Sequence, residues 1–167
     1  IEGENVLVYV EAATYCCSNS IYCAFLRQFG MNKYNAVSRL PENVSREELA
    51  RLDGDAYSVI PPSGTFRDLI KELDHIFDTL NCRILHLLPI NPTPTVYGRM
   101  GRYGSPYAAL DFTAVNPELA EFDRKATPLD QFRELVDAVH RKNGKVFIDI
   151  AINHTGWAAK IHETHPE

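Results

Sequence analysis

Two rhythms of apolar and polar positions run along the chain. Short β-branched and apolar runs at residues 6–11, 82–90 and 145–152 each predict a buried strand. Between the last two runs and ahead of them, the spacing changes. Phe66, Leu69, Ile70, Leu73, Ile76, Phe77 and Leu80 recur at intervals of three and four, which predicts a helix opened by Thr65 and ended by Asn81. Leu129, Phe132, Leu135, Val136 and Val139 predict a second core-facing helix. Thr127-Pro128-Leu129-Asp130 opens it and Asn143-Gly144 stops it. Two shorter helices are predicted. One covers 20–29, with Ile21, Ala24, Phe25 and Phe29 on one face and Gly30 as its stop. The other covers 45–53, where Ser45-Arg46-Glu47-Glu48 forms a capping box and Gly54 supplies the turn out.

The long elements alternate as strand, helix, strand, helix, strand. Parallel strands need such crossovers, which are right-handed. This order fits an open doubly wound sheet, and it equally fits about three strands of a (β/α)8 barrel. Residues 12–63 form an excursion between the first strand and the first long helix, and two short helices are too little to enclose a core of their own. Residues 1–167 therefore read as one partial α/β domain carrying an inserted helical excursion.

With 45% hydrophobic and 23% charged residues, the chain has the balance of a folded protein rather than a disordered one. Its formal net charge of −5 argues against a binder of nucleic-acid phosphates. No run approaches the roughly 18 apolar residues of a membrane span. The opening Ile1-Glu2-Gly3-Glu4-Asn5 is acidic, unlike a secretory signal, and its lack of Met suggests a start inside a longer product. Cys16, Cys17, Cys23 and Cys82 match no common zinc spacing and read as small buried apolar residues of a reducing cytosol.

In either architecture, ligands meet the C-terminal ends of parallel strands. There the third run turns polar, at Asp149, Asn153 and His154. Asp149 and Asn153 lie four apart, so a regular strand points both the same way. Asp149 either takes part in a site or only accepts hydrogen bonds that shape the loop, whereas His154 at the tip reads as functional. The connection after the second run mixes tyrosines with glycines from Tyr97 to Tyr107. Gly98, Gly101 and Gly104 match neither a Walker loop nor a dinucleotide fingerprint. Tyrosine faces can instead pack against the C–H faces of sugars while polar neighbours take the hydroxyls. His162-Glu163-Thr164-His165 is one residue short of the helical zinc motif and reads as a solvated stretch, and no serine-hydrolase elbow is present.

Asp149-Ile150-Ala151-Ile152-Asn153-His154 resembles the first signature region of the alpha-amylase family, glycoside hydrolase family 13. The same order holds for Thr65-Phe66-Arg67-Asp68-Leu69-Ile70, for the run Cys82 to Ile90, and for the segment Tyr107 to Pro117, each of which is similar to a stretch of that family. The likeness covers roughly residues 65–155, and more weakly 6–11.

The resemblance implies the N-terminal portion, about three strands, of a (β/α)8 TIM barrel acting on α-glucans by hydrolysis or transfer. It implies that His154 hydrogen-bonds the sugar on the non-reducing side of the cleaved bond and that Tyr107 stacks on the same ring. Asp149 and Asn153 would support the active-site floor, and Asn153 matches a position that helps hold calcium in many alpha-amylases. The family's retaining mechanism needs two carboxyl groups about 5–5.5 Å apart. These come from the fourth and fifth strands, so no catalytic residue is assigned here. Asp111, Asp149 and Glu163 stand at none of the matching positions, and the 167 residues alone are expected to be inactive. The expected partner is an α-glucan oligosaccharide or polysaccharide, with neither nucleic acid nor membrane. The long tract before Thr65 and a likeness to glycogen-debranching and glucanotransferase members favour a cytoplasmic enzyme. Uncovered sheet edges predict self-association. A stand-alone, non-catalytic carbohydrate-binding module and an open-sheet nucleotide-binding domain are the alternatives.

Overall fold

The computed structural model describes residues 20–33, 45, 47, 51, 63–95, 100 and 103–164. The run predicted as a strand at 6–11 lies outside these residues, as does nearly all of the helix predicted at 45–53 and most of the proposed insertion.

Three parallel strands form one sheet: β1 (Ile21–Ala24), β2 (Ile84–Leu87) and β3 (Lys145–Ile148), in that spatial order. Ala24, Leu87 and Ile148 share one row, so the chain leaves all three strands on the same side of the sheet. The predicted helix at 20–29 is a correction: its first half is β1, and 3₁₀ turns at Leu26–Gln28 and Gly30–Asn32 follow. A short apolar run satisfies either rhythm. Ile21, Tyr22 and Cys23 favour extended backbone, and pairing with β2 decides the outcome.

Helix α1 (Phe66–Ile70) begins at a complete capping box: Asp68 N donates to the Thr65 hydroxyl, and Thr65 N donates to the Asp68 carboxylate. The expected single helix to Leu80 is broken. After a turn at Lys71 and Glu72, Asp74–Thr79 winds as a π-helical turn, closed by Leu80 N donating to His75 O at 2.9 Å. Asn81 stops it in the left-handed region, at φ 53°. Helix α2 (Pro128–Arg141) starts at the predicted Thr127 cap with Pro128 in its first turn, and Asn143 at φ 54° leads out.

One sheet face meets both helices. Ala24, Leu85 and Leu87 join Phe66, Leu69, Leu73, Ile76, Phe77, Leu135 and Val139 in a single core cluster. The Phe66 and Phe132 rings lie 5.6 Å apart across α1 and α2. Outside that contact, Arg67 donates twice to the Glu134 carboxylate, at 2.8 and 2.9 Å, and reaches Asp123 at 3.0 Å. Both carboxylates hold its guanidinium still further above its ordinary pKa. Two further expectations on α2 change. Leu129 is exposed, while Gln131 is fully buried and exchanges hydrogen bonds with the Glu121 backbone.

The opposite face carries the row Cys23, His86 and Phe147 and has no helix against it among the described residues. The third strand was expected to be buried through residue 152. It ends at Ile148 instead, and Phe147, Ile148, Ile150 and Ile152 are exposed, Ile152 by 78%. β3 is the edge of the described sheet, so the burial its sequence anticipates has no neighbour to supply it. Among the described residues, no helix is long and apolar enough to cross a membrane.

Candidate active site

The three strand ends are knitted together by side chains. After β1, Arg27 is buried, pairs with Glu118 at 2.6 Å and donates to the Thr93 hydroxyl at 3.1 Å. After β2, the buried Asn91 amide donates to the carbonyls of Asp111 and Ala114, at 3.1 and 3.2 Å. Asn116 N returns a bond to Ile90 O at 2.8 Å. These contacts fold the tyrosine-bearing connection back over the sheet end.

That connection brings Tyr107 to Asp149, 42 residues further along the chain. The Tyr107 hydroxyl donates to Asp149 Oδ2 at 2.7 Å. Asp149 follows β3 directly, and its own N–H continues the ladder to Leu87 O at 2.8 Å. The hydrogen bond to Asp149, burial, and the negative charges of Asp149 and Cys23 push the tyrosine pKa up to about 12. Tyr107 is therefore a neutral donor at any ordinary pH. Nearby, Tyr103 packs edge-on against Phe25 at 6.1 Å.

His154 is exposed, and its Nδ1 lies 2.9 Å from Asn153 Oδ1. The regular strand stops short of both residues, so Asp149 and Asn153 do not share a strand face; Asn153 sits in a turn. The four predicted residues thus form two pairs, Tyr107 with Asp149 and Asn153 with His154, and no hydrogen bond among the described residues joins one pair to the other. A backbone joint couples the two segments instead. Gly156 N donates to Ala109 O at 2.8 Å, and Lys160 N to Leu110 O at 2.9 Å. Each joint partner of the first bond stands two residues from a predicted sugar contact. Among the described residues, no three His, Cys, Asp or Glu side chains group to hold a metal.

Arg27, Asn91 and Gly156 were not anticipated from sequence. Position was the available signal, since each follows a strand end. His162, expected to be solvated, accepts or donates a hydrogen bond with Thr155 Oγ1 at 3.1 Å, on a short helix α3 (Lys160–Thr164).

No family model matches the chain. Its sequence is 31% identical over 109 residues to alpha-amylase SusG of Bacteroides thetaiotaomicron, covering 64% of this chain and 12% of that protein. Its fold matches the crystal structure of an alpha-amylase from Lactobacillus plantarum with a TM-score of 0.58 and 30% identity, over 89% of this chain and 26% of that one. In both sequence and fold the chain is similar to alpha-amylases. A debranching enzyme from Nostoc punctiforme shares the fold as well, with a TM-score of 0.59 and 20% identity over 96% of this chain and 30% of that one. A further structure of that enzyme was soaked with acarbose, and it gives a TM-score of 0.54 at 21% identity over 89% of this chain and 28% of that one. The chain spans about an eighth to a third of the relatives it matches.

Proposed function

We propose that this chain is the N-terminal part of the barrel of an α-glucan-acting glycoside hydrolase or glucanotransferase, and that it supplies the groups that hold a glucosyl unit, not those that cleave its bond. The observation that carries the reading is the Tyr107–Asp149 hydrogen bond at the C-terminal end of a parallel sheet. It anchors the hydroxyl end of an aromatic side chain at that sheet end. The alpha-amylase and debranching relatives support the substrate class, and the acarbose-soaked structure supports a carbohydrate ligand.

In this reading the Tyr107 ring packs on the apolar face of the sugar. His154 donates through Nδ1 to Asn153 Oδ1 in its neutral form, which leaves Nε2 to accept from a sugar hydroxyl. Asp149 and Asn153 orient these two contacts. A retaining reaction would draw both of its carboxyl groups from elements other than those described here. The 167 residues alone would bind sugar weakly and leave it intact, and the enzyme would work in the cytoplasm. Holding the ring in near-attack geometry is the contribution to rate.

The test is His154→Ala in the full-length protein that carries this chain, assayed on maltooligosaccharides. A misplaced sugar costs about a hundredfold in turnover. Unchanged turnover would remove His154 from the site.

A further inference from the structure

We propose that the loop after His154 forms a second glucan contact, a groove in which a glucosyl unit lies against Trp157. The proposal rests on the α-glucan reading above and extends it beyond the four residues assigned there.

Trp157 is the chain's one tryptophan, and 68% of it is exposed. Tryptophan is among the residues most buried on average. Here it stands on the edge of a groove of about 390 Å³ lined by Thr155, Gly156, Trp157, Ala158 and His162. That volume falls within the range of about 300–1,000 Å³ usual for small-molecule sites. The lining has two characters. The indole offers a flat apolar plate, and the Thr155 hydroxyl and His162 imidazole, 3.1 Å apart, offer hydrogen-bonding groups beside it. A sugar ring has the matching two characters, with C–H faces and a hydroxyl rim.

The groove is anchored to the same segment as Tyr107. Gly156 is buried at its floor and bonded to Ala109 O, and Lys160, on the helix behind it, is bonded to Leu110 O. A second groove of about 270 Å³, lined by Asp111, Phe112, Lys160 and Ile161 among others, shares Thr155 with the first. The two grooves therefore adjoin at Thr155, as a chain of several glucosyl units would require.

Having one tryptophan makes the test direct. The 167-residue chain is titrated with maltoheptaose while the emission of Trp157 is followed, and the same titration is run by calorimetry on wild type, Trp157→Ala and His162→Ala. The expected result is a saturable change in emission, with affinity lowered about fivefold or more by either substitution, the size a lost stacking or hydrogen-bonding contact gives. Calorimetric binding with unaltered emission and unaltered affinity in both variants overturns the groove and leaves the α-glucan reading standing. Absence of any binding at millimolar maltoheptaose overturns the groove and counts against that reading for the isolated chain. Because Trp157 is exposed, the wild-type emission also reads the site without a substitution; a maximum characteristic of enclosed indole overturns the proposal by itself.

Discussion

Gly156 is a position where a single added methyl group should do measurable harm to the candidate site. An added Cβ would lie 2.5 Å from Ala108 O, 2.9 Å from Ala108 C and 3.3 Å from Ala108 Cβ. The first two are backbone atoms, so no side chain can rotate out of the way. The φ of Gly156 lies outside the left-handed region, so alanine meets no conformational penalty there and the conflict is purely steric. Overpacking of this kind costs about 1–3 kcal/mol. Separating the two segments also weakens the bond from Gly156 N to Ala109 O, worth about 0.5–1.5 kcal/mol. Against this, replacing glycine gains about 0.4–1 kcal/mol by restricting the unfolded chain. The net expectation for Gly156→Ala is a loss of about 2 kcal/mol. Urea unfolding followed by circular dichroism gives that number. Amide hydrogen exchange locates it: Gly156 and Lys160, whose N–H groups close the joint, should exchange faster, while the amides of β2 stay protected up to the new global stability. A loss below about 0.5 kcal/mol, the range of an ordinary surface change, together with unaltered exchange at both positions, would refute the joint.

Leu135→Ala, at a fully buried site between α2 and the sheet, should cost about 2–5 kcal/mol and lower the urea midpoint accordingly. Burial alone would raise the pKa of Asp68, but the Lys71 ammonium and the Thr65 hydroxyl and amide outweigh it and lower the value. Its contribution is therefore present above the ordinary carboxylate range and is lost as pH falls through the folded value; Asp68→Asn should flatten the acid limb of a stability profile. Tyr107, raised to about 12, should ionise above the ordinary tyrosine range in near-ultraviolet difference spectra, and Asp149→Asn should bring it back toward its ordinary value. The sign follows from the raised pKa: the stabilisation is complete below the ordinary tyrosine value and disappears as pH climbs through the folded one.

Sequence carried the local features well. Thr65 and Thr127 cap their helices because a capping box needs only four adjacent residues, and Asn81 and Asn143 stop theirs because the left-handed turn is a property of one residue. What depends on neighbours was hidden. β1 is four residues long, and only its partner β2 distinguishes it from a helical turn. Gln131 sits on the face where polar residues are unexpected, and its burial makes sense only with the Glu121 backbone beside it. Ile148 and Ile150 read as buried because their sequence anticipates cover on both faces of a sheet, which the described residues do not provide. In the site, Asp149 was ambiguous between a loop-shaping acceptor and a working group. It accepts the Tyr107 hydroxyl, which is the first role placed where the second would be needed.

The connection from Tyr103 to Asn116 has no regular ladder, yet its backbone is held about as a strand would be. Leu110 N donates to Pro92 O; Ala109 O and Leu110 O accept from the loop beyond β3; Asp111 O and Ala114 O accept from Asn91; and Asn116 N donates to Ile90 O. Most of these partners come from the residues that follow β2 and β3, while Ala108 N bonds to Ser105 O and Tyr107 N to Ser105 Oγ within the segment. An irregular stretch running under its neighbours would otherwise carry unpaired polar groups. Its order is therefore borrowed from the strand tips, and this explains two facts together. The segment looks like a loop in isolation because most of its partners lie outside it. It can nevertheless aim Tyr107 at Asp149, because its outside partners belong to the segments that leave the parallel sheet. A stacking ring needs that kind of support, since a plate free to tilt loses the close contact that makes stacking favourable.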